Sequence, residues 1–155
     1  MSAKSRGTIK QQSILPRIDG IQRDLIKLKE LGKLPLGEFS MESNFVQAQF
    51  YLRQALEGVF HIAGHILSRI PGKRPTEYKQ IAIKLGETGI VSQEFAKGKL
   101  KQMAGYRNRL THFYADVTPE EIHNVLNHDL TDIEFFLSSI KILLTDPKKF
   151  DLSLE

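Results

Sequence analysis

The chain has 155 residues, 41% of them apolar, 26% charged and 8% aromatic, with six Pro and no Cys. This length suits one domain that buries roughly two thirds of its unfolded surface, and the absence of Cys excludes a disulfide framework and any thiolate-ligated zinc or iron–sulfur site. Residues 1–10 are polar and basic, unlike a signal peptide, and no stretch approaches the ~20 apolar residues of a membrane span; a cytoplasmic protein without membrane association is expected.

Net charge is +4 but unevenly spread. Residues 1–36 carry 8 basic and 3 acidic side chains, 37–68 carry 1 and 3, 69–112 carry 10 and 3, and 113–155 carry 3 and 9. A cationic stretch ending at His112 is followed at once by an anionic one. That suits a polyanion at one surface and a basic partner at another, or simply solvated helix faces of opposite sign.

In chain order, residues 1–12 read as a basic flexible tail and 13–150 as a single helical domain. Over 13–31, Ile14, Ile18, Ile21, Leu25 and Leu28 recur at helical spacing, and Gly32 follows as a stop. Residues 34–39, with Pro35 and Gly37, read as a connection, and Ser40 as the N-cap of the next helix. That helix, about 41–70, is the longest. Phe45, Ala48, Leu52, Ala55, Val59, Ile62, Ile66 and Ile70 form one stripe, and Leu56, Phe60, Ala63 and Leu67 a second beside it. An apolar arc so wide belongs to a central helix, covered on several sides or shared with a second subunit.

Pro71-Gly72 ends it. Thr76 is placed to cap a shorter helix with Tyr78, Ile81, Ala82 and Leu85 inward, stopped by Gly86 and Gly89. Ser92 caps another, burying Phe95, Ala96, Leu100 and Met103 and running toward Gly105. Thr118-Pro119-Glu120-Glu121 is a capping box with Pro at the first helical position. It opens a last helix with a single stripe of Ile122, Leu126, Leu130, Ile133, Leu137, Ile140 and Leu144. No segment alternates with period two. The expected fold class is all-α, an antiparallel up-and-down bundle of four to five helices.

The segment Gly105-Tyr106-Arg107-Asn108-Arg109-Leu110-Thr111-His112-Phe113-Tyr114 crowds together two guanidiniums, a carboxamide, an imidazole and phenols. Arginine offers a permanent charge and a donor fork that matches phosphate oxygens, and histidine moves a proton near neutral pH. Together they suffice to cleave RNA without metal. A base takes the ribose 2′ proton, the 2′ oxygen attacks the adjacent phosphorus, and a cation stabilises the phosphorane-like transition state. On one ideal helix, however, Arg107 and His112 project about 140° apart. Either the helix breaks near Thr111, or two copies of the motif meet across a two-fold axis.

Glu57, His61 and His65 lie four apart on the central helix, a spacing metals use. No further ligand is evident, so no metal site is expected there. A polar strip along a dimer seam or an RNA cleft is the stronger reading. His123 and His128 are expected to face solvent. No phosphate-binding Gly-rich loop, Ser-His-Asp arrangement or carboxylate pair is present.

The string from Arg107 to Tyr114 resembles the Arg-x4-His-x-Tyr signature of HepT-like toxins in the HEPN superfamily of ribonucleases. The resemblance extends to Tyr51-Leu52-Arg53-Gln54-Ala55-Leu56, His65-Ile66-Leu67, Pro75-Thr76-Glu77-Tyr78, Leu85-Gly86-Glu87-Thr88-Gly89-Ile90 and Met103-Ala104-Gly105-Tyr106, and covers about residues 40–140. It implies a homodimeric, cofactor-free endoribonuclease toxin, paired with a minimal nucleotidyltransferase antitoxin that binds it or transfers AMP to the motif tyrosine. Arg107 would then stabilise the phosphate, His112 serve as general acid or base, and Asn108 orient the pair. Tyr114 would be the AMPylation site. Arg109 lies outside the signature; it reads either as an RNA phosphate contact beside the cleft, together with Lys101, or as a solvated surface arginine. The competing reading is a non-catalytic HEPN-type module that binds a nucleotidyltransferase and nucleotide or RNA. The forty residues before the central helix exceed what many short members carry; an extra packing helix with a frayed end is expected of them.

Overall fold

The computed structural model describes residues 6–155. At its centre α3 (Glu42–Ser68) buries both predicted stripes, from Ala48 and Leu52 through Ile66 and Leu67. Against it lies α1 (Leu15–Gly32), with Ile18, Ile21, Leu25 and Leu28 turned inward. Each such side chain removed from water contributes roughly 1.5–3 kcal/mol. The helices approach closely at Gly58, where a Cβ would sit 2.8 Å from Ile21 Cγ1. The extension before the central helix is therefore a packing helix.

Within that interface Asp24 is 4% exposed. Its Oδ1 accepts a hydrogen bond from Gln54 Nε2 at 3.1 Å. Burial pushes its carboxyl up to about 6, and Gln54 and Arg23 only partly offset the effect. Its acidic side chain falls on the buried stripe, which charge counting does not reveal.

Residues 34–39 are not wholly a connection: Pro35 precedes a single turn, α2 (Leu36–Phe39), which buries Phe39. Met41, not Ser40, occupies the N-cap of α3, while Ser40 Oγ donates back to the Leu36 carbonyl at 2.7 Å. Helix α4 (Tyr78–Thr88) has Glu77 at its N-cap position, with no side-chain capping bond, and ends at Gly89, whose φ of 81° is left-handed. Thr76 instead donates through its hydroxyl to Gln80 Oε1 at 2.9 Å. Gly86 is not a stop; it lies inside α4, where a Cβ would come within 2.6 Å of Ala96 Cβ.

Ser92 caps the next rod as expected, its Oγ accepting from the Phe95 amide at 3.1 Å. The rod comprises α5 (Gln93–Phe95), a π-helical turn (Ala96–Leu100) and α6 (Lys101–His112). Thr118 Oγ accepts from the Glu121 amide at 3.2 Å and opens α7 (Pro119–His128). The single last helix expected there is two: Asp129, with φ −112° and ψ −6°, separates α7 from α8 (Leu130–Thr145). The break follows Asn127, His128 and Asp129, three successive residues of low helix propensity. Asn127 turns its side-chain amide to the Gly32 carbonyl at 3.0 Å, tying the break to the end of α1.

The fold is an all-α bundle with a small addition at its end. Of the expected tail, residues 1–5 lie outside the described residues; Gly7–Ile9 is a strand, β1, pairing in parallel with β2 (Leu152–Leu154). The strand runs against the end of α3, so closely that a Cβ on Gly7 would overlap the Arg69 carbonyl oxygen. Ile9 and Leu152 are buried beneath the pair. Three-residue strands are too short to show an alternating pattern in sequence. Among the described residues no helix is long and apolar enough to cross a membrane.

Candidate active site

The π turn holds one residue more than an α turn and so rotates the remainder of the rod by about 100°. Downstream of it, α6 buries Met103, Ala104 and Leu110 and turns Arg107 toward α3 and α4. The Arg107 side chain is 16% exposed. Its Nη2 lies 3.5 Å from Glu57 Oε1 on α3, and its Nη1 donates to Asn108 Oδ1 at 3.3 Å. Its Cζ stands 4.4 Å above the centre of the Tyr78 ring, which itself packs on Phe60. Nε of Arg107 is buried without a hydrogen-bond partner. Arg107 thus holds a fixed guanidinium with unused donors. A buried N–H left unpaired costs about 1–3 kcal/mol, which a phosphate oxygen would relieve.

His112 is exposed on the last turn of α6. The helix does not break near Thr111: Thr111 Oγ donates to the Arg107 carbonyl at 2.9 Å, and the Phe113 amide still reaches the Arg109 carbonyl at 2.8 Å. The chain leaves the helix only at Phe113, with φ −132° and ψ 34°. Of the two routes for joining Arg107 and His112, a kink between them is therefore excluded within this chain. No hydrogen bond or ion pair links the two side chains. On the ideal helix Lys101, Asn108 and His112 share a stripe within roughly 40°, and Lys101 is exposed. Asn108 lies on the histidine stripe while bonded to the arginine, the one motif side chain that joins the two faces.

Tyr114 begins a 3-10 turn (Tyr114–Asp116) and is 64% exposed, beside a 59% exposed Phe113. Tyr106 differs: its hydroxyl is buried without a well-formed hydrogen bond, and burial, reinforced by the Glu121 carboxylate, pushes its phenol well above the usual range. Arg109, expected beside the cleft, forms a two-pronged ion pair with Glu121 of α7, one contact at 3.1 Å. That pairing holds the Glu121 carboxyl below its ordinary value. A phosphate at Arg109 would have to compete with this carboxylate.

The Glu57, His61 and His65 strip is divided among different partners. Glu57 serves Arg107 and, at 4.0 Å, Arg53. His65 Nε2 accepts from the Lys10 amide at 3.2 Å. Among the described residues no three His, Asp or Glu side chains are grouped to hold a metal ion. His123 does not face solvent as expected. Its Nε2 meets the Leu34 carbonyl at 2.8 Å and its ring lies 5.1 Å from Phe39, fastening α2 to α7. His128 is exposed. The sequence reading missed Tyr78 and Glu57 as holders of Arg107. Tyr78 has core spacing and Glu57 metal spacing, and their common target lies fifty residues away in Glu57's case.

Compared with known proteins, residues 21–140 match the family model described as ribonuclease HepT-like. A tRNA nuclease HepT of Aphanizomenon flos-aquae is 28% identical over 131 residues, covering 83% of this chain and 87% of that one. The backbone is similar to a tri-AMPylated HEPN toxin of Shewanella oneidensis in complex with an MNT antitoxin, with TM-score 0.68, 23% identity and coverage of 83% and 96%. It is also similar to a toxin–antitoxin complex with AMP-PNP, with TM-score 0.71, 21% identity and coverage of 84% and 98%. The structural likenesses establish the fold. The matched residues run from the second turn of α1 through most of α8 and include the whole Arg107 to Tyr114 segment, so the chain belongs to the ribonuclease HepT-like family.

Proposed function

We propose that this chain is a metal-independent endoribonuclease, the toxin of a two-component system, acting as a homodimer in the cytoplasm. The observation that carries the reading is the held guanidinium of Arg107, with an orphaned buried donor, on the same unbroken helix as an exposed His112. In the proposed reaction one His112 takes the ribose 2′ proton, and the 2′ oxygen bonds to phosphorus. The P–O5′ bond breaks, and the leaving oxygen takes a proton from solvent. Arg107 donates to the non-bridging oxygens as charge builds on them, and Asn108 keeps the guanidinium aligned. Because a straight α6 sets Arg107 and His112 on different faces, a second copy completes the site across a two-fold axis. Lys101, on the histidine stripe, extends the cationic surface along the strand.

The partner is a minimal nucleotidyltransferase antitoxin, and Tyr114 is its modification site. AMP on that tyrosine places a phosphate anion and a nucleoside two residues from His112, repelling and blocking the RNA backbone. The likeness to AMPylated and antitoxin-bound toxins supports this, as does the exposure of Tyr114 against the burial of the Tyr106 hydroxyl.

The test is cleavage of RNA by the purified chain in excess EDTA. Arg107→Ala and His112→Ala each abolish cleavage. Mixing the two variants under exchange restores about a quarter of wild-type activity, since half the dimers are mixed and each has one intact composite site. Binding without cleavage by the wild-type chain would instead establish the non-catalytic module, and no recovery on mixing would refute the shared site.

A further inference from the structure

Where the start of α1 meets the face of α3 there is a depression of about 550 Å³, lined by Gln12, Ser13, Pro16, Arg17, His61 and His65. That is ample for part of a ligand. Its lining contains no carboxylate, and among the described residues the Arg17 side chain has no ion-pair or hydrogen-bond partner. Gln12 and Ser13 add neutral donors. His65 accepts at Nε2 from the Lys10 amide, so in the neutral ring its Nδ1 carries the proton and is a further donor. The depression therefore offers donors and positive charge with no carboxylate in its lining, Glu57 and Glu155 acting on the two rings from outside it.

Its place matters as well. His61 and His65 follow Glu57, the residue that holds Arg107, at one and two turns of α3, about 6 and 12 Å along the axis. The other wall, Gln12 to Arg17, precedes the residues matched by the family.

We propose that this depression is a phosphate subsite of this chain, gripping the RNA backbone beside the scissile bond with Arg17, His61 and His65. The proposal rests on the ribonuclease reading. Its ligand is a phosphodiester, read without regard to base. Electrostatics point the same way. Burial and the cations Arg17 and Arg107 lower the His61 pKa against the pull of Glu57. Burial, Arg69 and Lys10 lower that of His65 against Glu155. A bound phosphate offsets those cations, so anion binding and protonation of either ring support each other and affinity rises as pH falls.

The probe is a fluorescein-labelled octanucleotide with every 2′ hydroxyl methylated, which the proposed chemistry does not cut, titrated with the full chain and followed by anisotropy at several salt concentrations. Arg17→Ala is expected to weaken binding about tenfold whatever the base sequence and to reduce the salt slope by about 0.7 for the lost single-strand phosphate contact. Arg17→Lys keeps the slope, and Lys27→Ala, removing an exposed cation of the same helix, changes neither. The double variant His61→Gln, His65→Gln loses the strengthening between pH 7.5 and 5.5. Arg17→Ala binding with wild-type affinity and slope, or losing no more than Lys27→Ala, overturns the subsite. Failure of wild-type chain to cut unmodified RNA overturns the ribonuclease reading instead, and leaves the oligonucleotide result to judge the subsite alone.

Discussion

Asp24→Asn tests the energetics of the α1–α3 interface. Asp24 is 4% exposed and keeps one neutral hydrogen bond, from Gln54. Its carboxyl is raised from 3.8 to about 6. A group whose pKa is raised by folding contributes fully below its unfolded value and loses that contribution as pH climbs through the folded value. The window is therefore pH 4 to 7. A two-unit elevation at 1.36 kcal/mol per unit sets a ceiling of about 3 kcal/mol, and partial screening by solvent makes about 2 kcal/mol the working figure. Asparagine keeps the Oδ1 acceptor for Gln54 and has similar helix propensity, so the substitution removes the buried charge and little else. Urea unfolding at fixed protein concentration is expected to show the variant about 2 kcal/mol more stable at pH 7.5 and equal to wild type near pH 3.5, with unchanged m. A gain of the same size at both pH values, or a loss at pH 7.5, would refute the assignment of the cost to the buried charge.

Tyr114→Phe is expected to leave RNA cleavage intact and to make it insensitive to AMP transfer. Intact-mass spectrometry that still finds added AMP on this variant would show that another tyrosine is modified. Gly86→Ala drives a Cβ to 2.6 Å from that of Ala96, both fixed to helical backbones. Thermal unfolding is expected to report a net loss of about 1–2 kcal/mol, overpacking outweighing the gain in helix propensity. Gly20→Ala, in α1 with nothing within 4 Å of the new methyl group, should gain about 0.5–1 kcal/mol; a Gly86→Ala variant behaving like it would contradict the close α4 packing.

How much of this was legible in the sequence depended on the range of the interaction responsible. The stripes of α1 and α3, the Ser92 cap and the Thr118 to Glu121 box follow from residues three and four apart, and all appear in the structure. The division of α7 from α8 did not, because the apolar stripe continues in phase through Leu130 and Ile133 while the interruption is made by Asn127, His128 and Asp129 on the other side. β1 and β2 lie about 145 residues apart, and neither three-residue strand is recognisable without its partner. At the site, the local string singles out Arg107, Asn108, His112 and Tyr114, and helix geometry sets Arg107 and His112 about 140° apart. What holds Arg107 was hidden, since α3, α4 and α6 meet there through contacts up to fifty residues long. Arg109 lies outside the motif that Arg107 opens, but its role was open in sequence; its pairing with Glu121 of α7 separates a helix clamp from a held but incompletely bonded guanidinium.

That contrast divides the motif into halves of different stiffness. Arg107 is fixed by Glu57, Asn108 and the Tyr78 face, each on a packed helix. His112 and Tyr114 stand where α6 ends, exposed, with a short turn between them and Thr118. Preorganisation is most useful for the group that meets developing charge, because a guanidinium already in place needs no rearrangement as the transition state forms. The proposed proton-transferring group and the proposed modification site fall on the freer half. On the proposed reading, a nucleotidyltransferase can therefore reach Tyr114 without disturbing α3, α4 or the guanidinium. The added AMP then acts by occupying the approach to His112, and the inactive toxin keeps its fold.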